Sequence, residues 1–434
     1  MRIAYARGPG TGRTGMVWGL DMGKRVVITG MGALSPLGGD VASTWCALKQ
    51  GKSGIGPITL FDASKVGVRF GGEVKDFDPA SVLDRKEARR MDRFQQLAYA
   101  ASVEAIRDSG IEINAGNADR IGVVVGSGVG GLQSLTDGFR TLFERGPSRV
   151  SPFLITQMVV DLAPGLISIL LGAKGPNFST VSACATGAHA IGEAAEIIRR
   201  GQADVMVAGG SEAGIVEIGV AGFANMRALS TRNDDPSRAS RPFDAHRDGF
   251  VMAEGAGILI LEDLSHAKAR GAAIRAELVG YGLTADASHI TDPAPGGEGA
   301  ARAMKMALHG AGMQPREIGY LNAHGTSTPV GDRAETTAIK TVFGDYAPHL
   351  PISSTKSMTG HLLGAAGGLE SMICVKVLQE GFLPPTINYE FPDPECDLDY
   401  IPNTGRSAVV STAMSNSFGF GGHNVSLILR SYEE

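Results

Sequence analysis

Four residues from three separate segments of the chain carry most of the chemistry this sequence can offer: Cys184, His324, Lys356 and His361. Cys184 stands in Ser179-Thr180-Val181-Ser182-Ala183-Cys184-Ala185-Thr186-Gly187-Ala188, where a short β-type run meets small residues. Ala188, Ile191, Ala195 and Ile198 then recur at helical spacing, with Arg199-Arg200 and Gly201 as stop signals. The cysteine is therefore expected at a strand-to-helix turn, on the positive end of a helix dipole, a position that lowers a thiol's pKa and favours the thiolate. A lone buried cysteine is more commonly a packing residue, so the decision rests on its companions. His189 is a poor one: five residues along a helix turn it roughly 140° away, and it is read as packing or hydrogen-bonding locally.

The companions lie in the second half. Asn322-Ala323-His324-Gly325-Thr326-Ser327-Thr328-Pro329 sets a histidine at a strand end before turn residues and hydroxyls. Lys356-Ser357-Met358-Thr359-Gly360-His361 sets a lysine and a histidine five apart across a turn. Ser415-Asn416-Ser417-Phe418-Gly419-Phe420-Gly421-Gly422 is a glycine loop able to present free backbone N–H groups. Singly, either histidine reads as structural and the lysine as solvated. Together, one cysteine, two imidazoles and a lysine suit thioester chemistry with a carbanion step. The thiolate takes an acyl group, and imidazole N–H donors stabilise an enolate oxygen where charge develops.

Elements must position these groups. Strand patterns are expected at 24–29, 121–125, 203–210 and 256–262 in a first half, and at 275–280, 318–323, 350–355, 408–415 and 425–430 in a second. Helices are expected at 299–310 and 360–381. The strand-to-small-residue-helix pattern around Cys184 recurs around 352–361. This suggests an internally duplicated α/β fold, with its site between two βα halves. The halves are taken as 22–270 and 271–434, and 1–21 as a disordered leader or a mis-assigned start, Met22 being the alternative first residue.

Several familiar readings fail. Gly126-Ser127-Gly128-Val129-Gly130-Gly131 matches a dinucleotide fingerprint, but no acidic residue follows at a strand end some twenty positions on, so it reads as a close-packed loop. Gly51-Lys52-Ser53 lacks the first glycine of a phosphate loop, its place being taken by Cys46. A net charge of −5 argues against a general nucleic-acid binder. The four cysteines form no CxxC pair and the nine histidines no HExxH, which leaves neither a disulfide framework nor a zinc motif. No apolar run reaches membrane-span length, and a reducing cytoplasm fits. Sixty glycines point to tight turns and close backbone packing. One dense basic run, 85–93, places Lys86, Arg89 and Arg90 on one helical face, either a solvated face or a docking patch for an acidic partner.

The segments around Cys184, His324 and His361, together with Ser417-Phe418-Gly419-Phe420-Gly421-Gly422, resemble the Cys-His-His signature of the condensing enzymes, the beta-ketoacyl-[acyl-carrier-protein] synthases of bacterial fatty-acid synthesis. The resemblance covers nearly everything from Lys24 to Arg430. It implies a thiolase-like fold of duplicated βα halves in five αβαβα layers, in a homodimer. It implies Cys184 as nucleophile, His324 and His361 as the catalytic histidines and Lys356 as the lysine that positions and polarises the second. By the same resemblance the oxyanion hole falls on the N–H groups of Cys184 and Phe420. Thr326 and Thr328 would hold a phosphopantetheine arm, Phe420 and Phe418 would meet the substrate, and Val129 would line the acyl pocket. Lys86, Arg89, Arg90, Arg149 and Arg227 would receive acyl carrier protein. Asn416 and Glu370 fall near where some relatives hold a structural cation. No cofactor of the enzyme's own is implied, the phosphopantetheine arm arriving on the carrier protein. His423 stands where many relatives have threonine.

The implied reaction is decarboxylative condensation of acyl- with malonyl-carrier protein. A type II polyketide ketosynthase shares all these motifs. A thiolase would bring a second cysteine near the glycine loop, which is missing here. A Cys–His hydrolase leaves His361 and Lys356 unexplained. A non-catalytic chain-length partner, the reading from a different class, typically lacks the cysteine that this chain retains.

Overall fold

The computed structural model describes residues 24–433, so the expectation for the leader at 1–21 and for Met22 lies outside the described residues. The first half contributes β1 (Val26–Leu34), β2 (Ile121–Gly126), β3 (Asn177–Phe178), β4 (Val205–Glu212) and β5 (Gly255–Asp263). The second contributes β6 (Ala276–Ala285), β7 (Tyr320–Asn322), β8 (Ile352–Ser353), β9 (Thr412–Gly419) and β10 (His423–Arg430). These strands lie in the order β8-β7-β9-β10-β6-β1-β5-β4-β2-β3.

That order is a palindrome of two sets, each with the same directions. β2 runs parallel to β3 and β4, while β5 runs antiparallel to β4 and β1. Likewise β7 runs parallel to β8 and β9, while β10 runs antiparallel to β9 and β6. The sets join through a short antiparallel contact, Val27 with Glu277 and Ile28 with Ala276. The duplication expected from sequence is present in the strand order itself.

Helices complete the five layers. The helix Arg93–Ser109 covers the outer face of the first set, and Glu298–Ala311 covers that of the second. Between them lie Thr186–Arg199 and Ala366–Glu380, each packed on strands of both sets and on each other. A sheet covered on both faces needs apolar residues in unbroken runs rather than in alternation. β5 shows this with Gly-Ala-Gly-Ile-Leu-Ile-Leu-Glu-Asp, buried throughout. Full burial of a side chain such as Ile191, Leu259 or Leu369 contributes about 1.5–3 kcal/mol, and all three lie in the same core. The two central helices touch backbone to backbone. A Cβ on Gly187 would lie 2.8 Å from the Gly368 nitrogen, and one on Gly367 would lie 2.5 Å from that of Ala188. Part of the glycine surplus is spent at this crossing.

Two expectations need correction. The helix expected at 360–381 begins only at Ala366, because Gly360 adopts φ +70° and His361 pairs in β fashion with Met252. The basic run at 85–93 is not one helix: Arg85–Ala88 forms a single turn, and Asp92 caps a new helix from Arg93.

Candidate active site

Cys184 sits in a 3₁₀ turn, Ala183–Ala185, that opens directly into the helix Thr186–Arg199. Ala183 is held at φ +50°, a left-handed conformation costing about 1–2 kcal/mol for a residue with a Cβ. The Thr186 hydroxyl braces the turn by accepting the Ser182 N–H at 2.9 Å. The second half repeats the device: Leu363 at φ +48° opens the turn Leu363–Ala365 before the helix Ala366–Glu380. Cys184 and Gly364 are thus equivalent positions of the duplication, and only the first carries a nucleophile.

The end of β9 comes up against this turn. A Cβ on Gly419 would fall 2.5 Å from the Ser182 oxygen and 3.1 Å from the Cys184 nitrogen, so only glycine fits. The backbone N–H of the next residue, Phe420, is near enough to the Cys184 sulfur to pull the thiol's pKa down. His324 leaves β7 with its backbone fixed by Glu335, whose carboxylate accepts the N–H groups of His324 (2.9 Å) and Gly325 (2.7 Å). His361 is fixed by its N–H to the Val251 oxygen at 2.7 Å, and its ring stands edge-on to Phe250. The two imidazoles meet at right angles, centroids 5.4 Å apart. The sulfur and a nitrogen from each ring lie within 4.8 Å of one another.

Burial dominates the electrostatics. It pulls both histidines well below their ordinary pKa, and the Lys356 charge pushes both further down, so each imidazole is neutral. Lys356 is itself buried and paired with Glu370. Burial raises the Glu370 carboxyl to about 7 despite the pull of that lysine. Cys184 corrects the sequence expectation: desolvation pushes its thiol up to about 12, with Lys356 and the Phe420 N–H pulling only partly the other way. The helix dipole does not overcome removal of the sulfur from water.

Nitrogen and sulfur donors in this grouping are of the type zinc uses, but the Lys356 charge beside them suits an anion or a polarised carbonyl oxygen better than a cation. The other cation candidates are engaged in protein contacts. Asn416 donates to Glu335 (3.2 Å) and accepts from Ser426 (2.8 Å), and Glu370 accepts from Lys356.

The Beta-ketoacyl synthase N-terminal domain matches residues 23–267, and the Beta-ketoacyl synthase C-terminal domain matches 275–390. The chain belongs to the beta-ketoacyl synthase family. A relative from Synechocystis sp., 3-oxoacyl-[acyl-carrier-protein] synthase 2, is 56% identical over 410 residues, covering 94% of this chain and 99% of its own length. The crystal structure of a beta-ketoacyl synthase from Burkholderia phymatum is 40% identical, with a TM-score of 0.88 over 94% of this chain and 100% of that one. A type II polyketide ketosynthase, solved in complex with its acyl-carrier protein and bound to the hexaketide, is 35% identical with a TM-score of 0.87, over 94% and 100%.

In this beta-ketoacyl synthase a cavity of about 470 Å³ opens over the Cys-His-His group. Val129, Thr326, Thr328, Phe418 and Phe420 all line it, as does Arg227. The two threonine hydroxyls lie 3.1 Å apart. The basic residues line different parts of the surface. Lys86, Arg89 and Arg90 share a surface groove with Phe153, Arg149 is exposed outside that groove, and Arg227 borders the cavity. Arg90 is also engaged within the protein, with Glu87 at 3.0 Å and over the Phe153 ring. His189 meets its expectation, its Nδ1 lying 2.7 Å from the Ser182 hydroxyl.

Sequence reasoning missed Glu335 and Glu212. Glu335 falls on one helical face with Asp332, which accepts the Phe243 and Ser327 N–H groups. The pair of acidic residues three apart, just after the histidine motif, was the available signal. The Gly126–Gly131 segment is the close-packed loop expected, and its N–H groups are already occupied: Gly128 and Val129 donate to Glu212 at 2.8 and 3.2 Å.

Proposed function

We propose that this chain condenses an acyl-[acyl-carrier-protein] with malonyl-[acyl-carrier-protein] in fatty-acid elongation, giving a beta-ketoacyl-[acyl-carrier-protein] two carbons longer and carbon dioxide. The observation that carries this reading is the meeting of the Cys184 sulfur with His324 and His361 nitrogens beneath a cavity that Phe420 also lines. At 56% identity, a relative named 3-oxoacyl-[acyl-carrier-protein] synthase 2 stands nearer than the 35% identical polyketide enzyme.

In the first half-reaction a neutral imidazole takes the thiol proton as the sulfur attacks the acyl thioester. The Lys356 charge favours the thiolate. Backbone N–H groups of Cys184 and Phe420 hold the oxyanion, each such donor being worth about 2.7–4 kcal/mol. The C–S bond to the carrier protein breaks, and its thiol leaves with the proton. In the second, malonyl-carrier protein loses carbon dioxide, and its C–C bonding pair becomes an enolate whose oxygen accepts from His324 and His361. Each neutral imidazole, kept so chiefly by burial, still carries one ring N–H to donate. The enolate carbon attacks the acyl-Cys184 carbonyl and expels the sulfur as thiolate, which takes one proton from solvent to restore the thiol.

We assign Thr326 and Thr328, which line the cavity, to the phosphopantetheine arm, and no redox cofactor enters the balance. Lys86, Arg89 and Arg227 are the basic groups we assign to the acidic carrier protein. We also assign a homodimer and a cytoplasmic location. The dimer reading rests on the free edge at β3, where Phe178, Val181 and Ile169 are exposed apolar residues. Among the described residues no helix is long and apolar enough to cross a membrane. The test is incubation with acyl- and malonyl-carrier protein, read by mass spectrometry of the carrier-bound product. A beta-ketoacyl chain two carbons longer is expected. Free fatty acid without extension would overturn the reading in favour of a thioesterase.

A further inference from the structure

Glu212, the last residue of β4, is fully buried and has no cationic partner among the described residues. Its carboxylate is held by donors alone. Oε1 accepts the Ser127 hydroxyl at 2.6 Å and the Val129 N–H at 3.2 Å. Oε2 accepts the Gly128 N–H at 2.8 Å and the Gly364 N–H at 2.9 Å. The Ser127 hydroxyl itself accepts the Gly130 N–H at 3.0 Å, so its proton is directed to Glu212. Four donors converge on the two oxygens, the geometry of an anion in a nest of N–H groups, and they partly offset the burial that raises this carboxyl's pKa.

The nest joins two parts of the site. One is the loop carrying Val129, a wall of the cavity. The other is the turn at Gly364, the duplication's counterpart of Cys184, next to the cavity-lining Leu363. In the first half the turn meets the Phe420 N–H from the end of β9. In the second, the equivalent turn meets a carboxylate from the end of β4. The two backbones are so close that a Cβ on Gly364 would fall 2.3 Å from the Gly128 nitrogen.

We propose that Glu212 is a positioning residue of the condensation, an internal anion that clamps the Val129 wall to the Gly364 turn and thereby sets which acyl chain lengths the pocket accepts. It touches neither thioester nor sulfur, and its effect on specificity passes through the wall it holds. The proposal rests on the condensing-enzyme reading above.

The test is Glu212→Gln, whose amide nitrogen turns N–H groups toward one pair of donors and breaks that half of the clamp. Ser127→Ala is a milder companion that removes one donor and leaves the carboxylate. Purified variants and wild type are compared for kcat and KM over short and long acyl-carrier proteins, with the melting temperature as a folding control. Loss of hydrogen bonds to a charged group is expected to raise KM for long chains about tenfold over that for short ones in Glu212→Gln, with a smaller shift of the same sign in Ser127→Ala. A folded Glu212→Gln with the wild-type ratio of long- to short-chain kcat/KM, or with a uniform fall at all lengths, overturns the proposal. If Glu212→Gln does not fold, an unchanged ratio in folded Ser127→Ala overturns it. Failure of the wild type to condense any chain would instead sink the condensing-enzyme reading.

Discussion

The ammonium of Lys356 and the carboxylate of Glu370 form an ion pair sealed from solvent, the residues being 1% and 3% exposed. Removing one partner of such a pair strands the other, at about 3–5 kcal/mol. Lys356→Met is therefore expected to melt at a lower temperature and to lose condensation. The double variant Lys356→Met/Glu370→Leu should regain most of the melting temperature and stay inactive, since the charge that favours the Cys184 thiolate is gone. Wild-type turnover in the double variant would reduce the pair to a structural feature.

Gly419 offers a sharper test of the oxyanion geometry. Gly419→Ala would push a methyl group against the Ser182 oxygen and the Cys184 nitrogen, displacing the Phe420 N–H from the sulfur. Loss of one oxyanion donor costs about 10²- to 10³-fold in rate. Acylation of Cys184, followed by mass, should slow by that order, and the backbone clash should lower the melting temperature without preventing folding, overpacking costing about 1–3 kcal/mol. An acylation rate within about twofold of wild type would remove Phe420 from the oxyanion hole.

The Cys184 thiol, pushed up to about 12 by burial, sets a pH signature. Below its pKa the thiolate fraction rises about tenfold per pH unit. Iodoacetamide alkylation of the free enzyme should climb from about pH 7 to about pH 10 without a plateau. A plateau near neutrality would mean that the helix dipole and Lys356 outweigh desolvation.

The chemical residues were legible in the sequence because each lies in a short ordered motif at a strand end. Their electrostatic state was not. The dipole at Cys184 can be read from helix spacing, but the degree of burial that reverses its effect depends on β9 and the second half closing over the turn. The helix start was misplaced for a similar reason, since nothing local to Gly360-His361 announces pairing with Met252. Glu212 lay hidden because its partners come from loops after β2 and before the last central helix, brought together only by the duplication. The basic run was grouped correctly by helical spacing, since Lys86, Arg89 and Arg90 share one groove, but spacing could not show that Glu87 and Phe153 also engage Arg90.

That difference among the basic residues separates docking from folding. Charge reversal at Lys86 and Arg89, both exposed, should weaken acyl-carrier-protein binding more at low salt than at high salt. Reversal at Arg90 should also lower the melting temperature, and reversal at Arg149 should do less than either. Fluorescence titration at two salt concentrations checks this. Salt-independent weakening at Lys86 and Arg89 would contradict a docking role.

The most direct measurement is intact mass of the purified enzyme with an acyl-carrier protein, before and after malonyl-carrier protein is added. The account predicts an acyl adduct mapped to Cys184, absent in Cys184→Ala, that discharges into a beta-ketoacyl product two carbons longer only when malonyl-carrier protein is present. An adduct persisting in Cys184→Ala, or discharged to free acid by water regardless of malonyl-carrier protein, would contradict it.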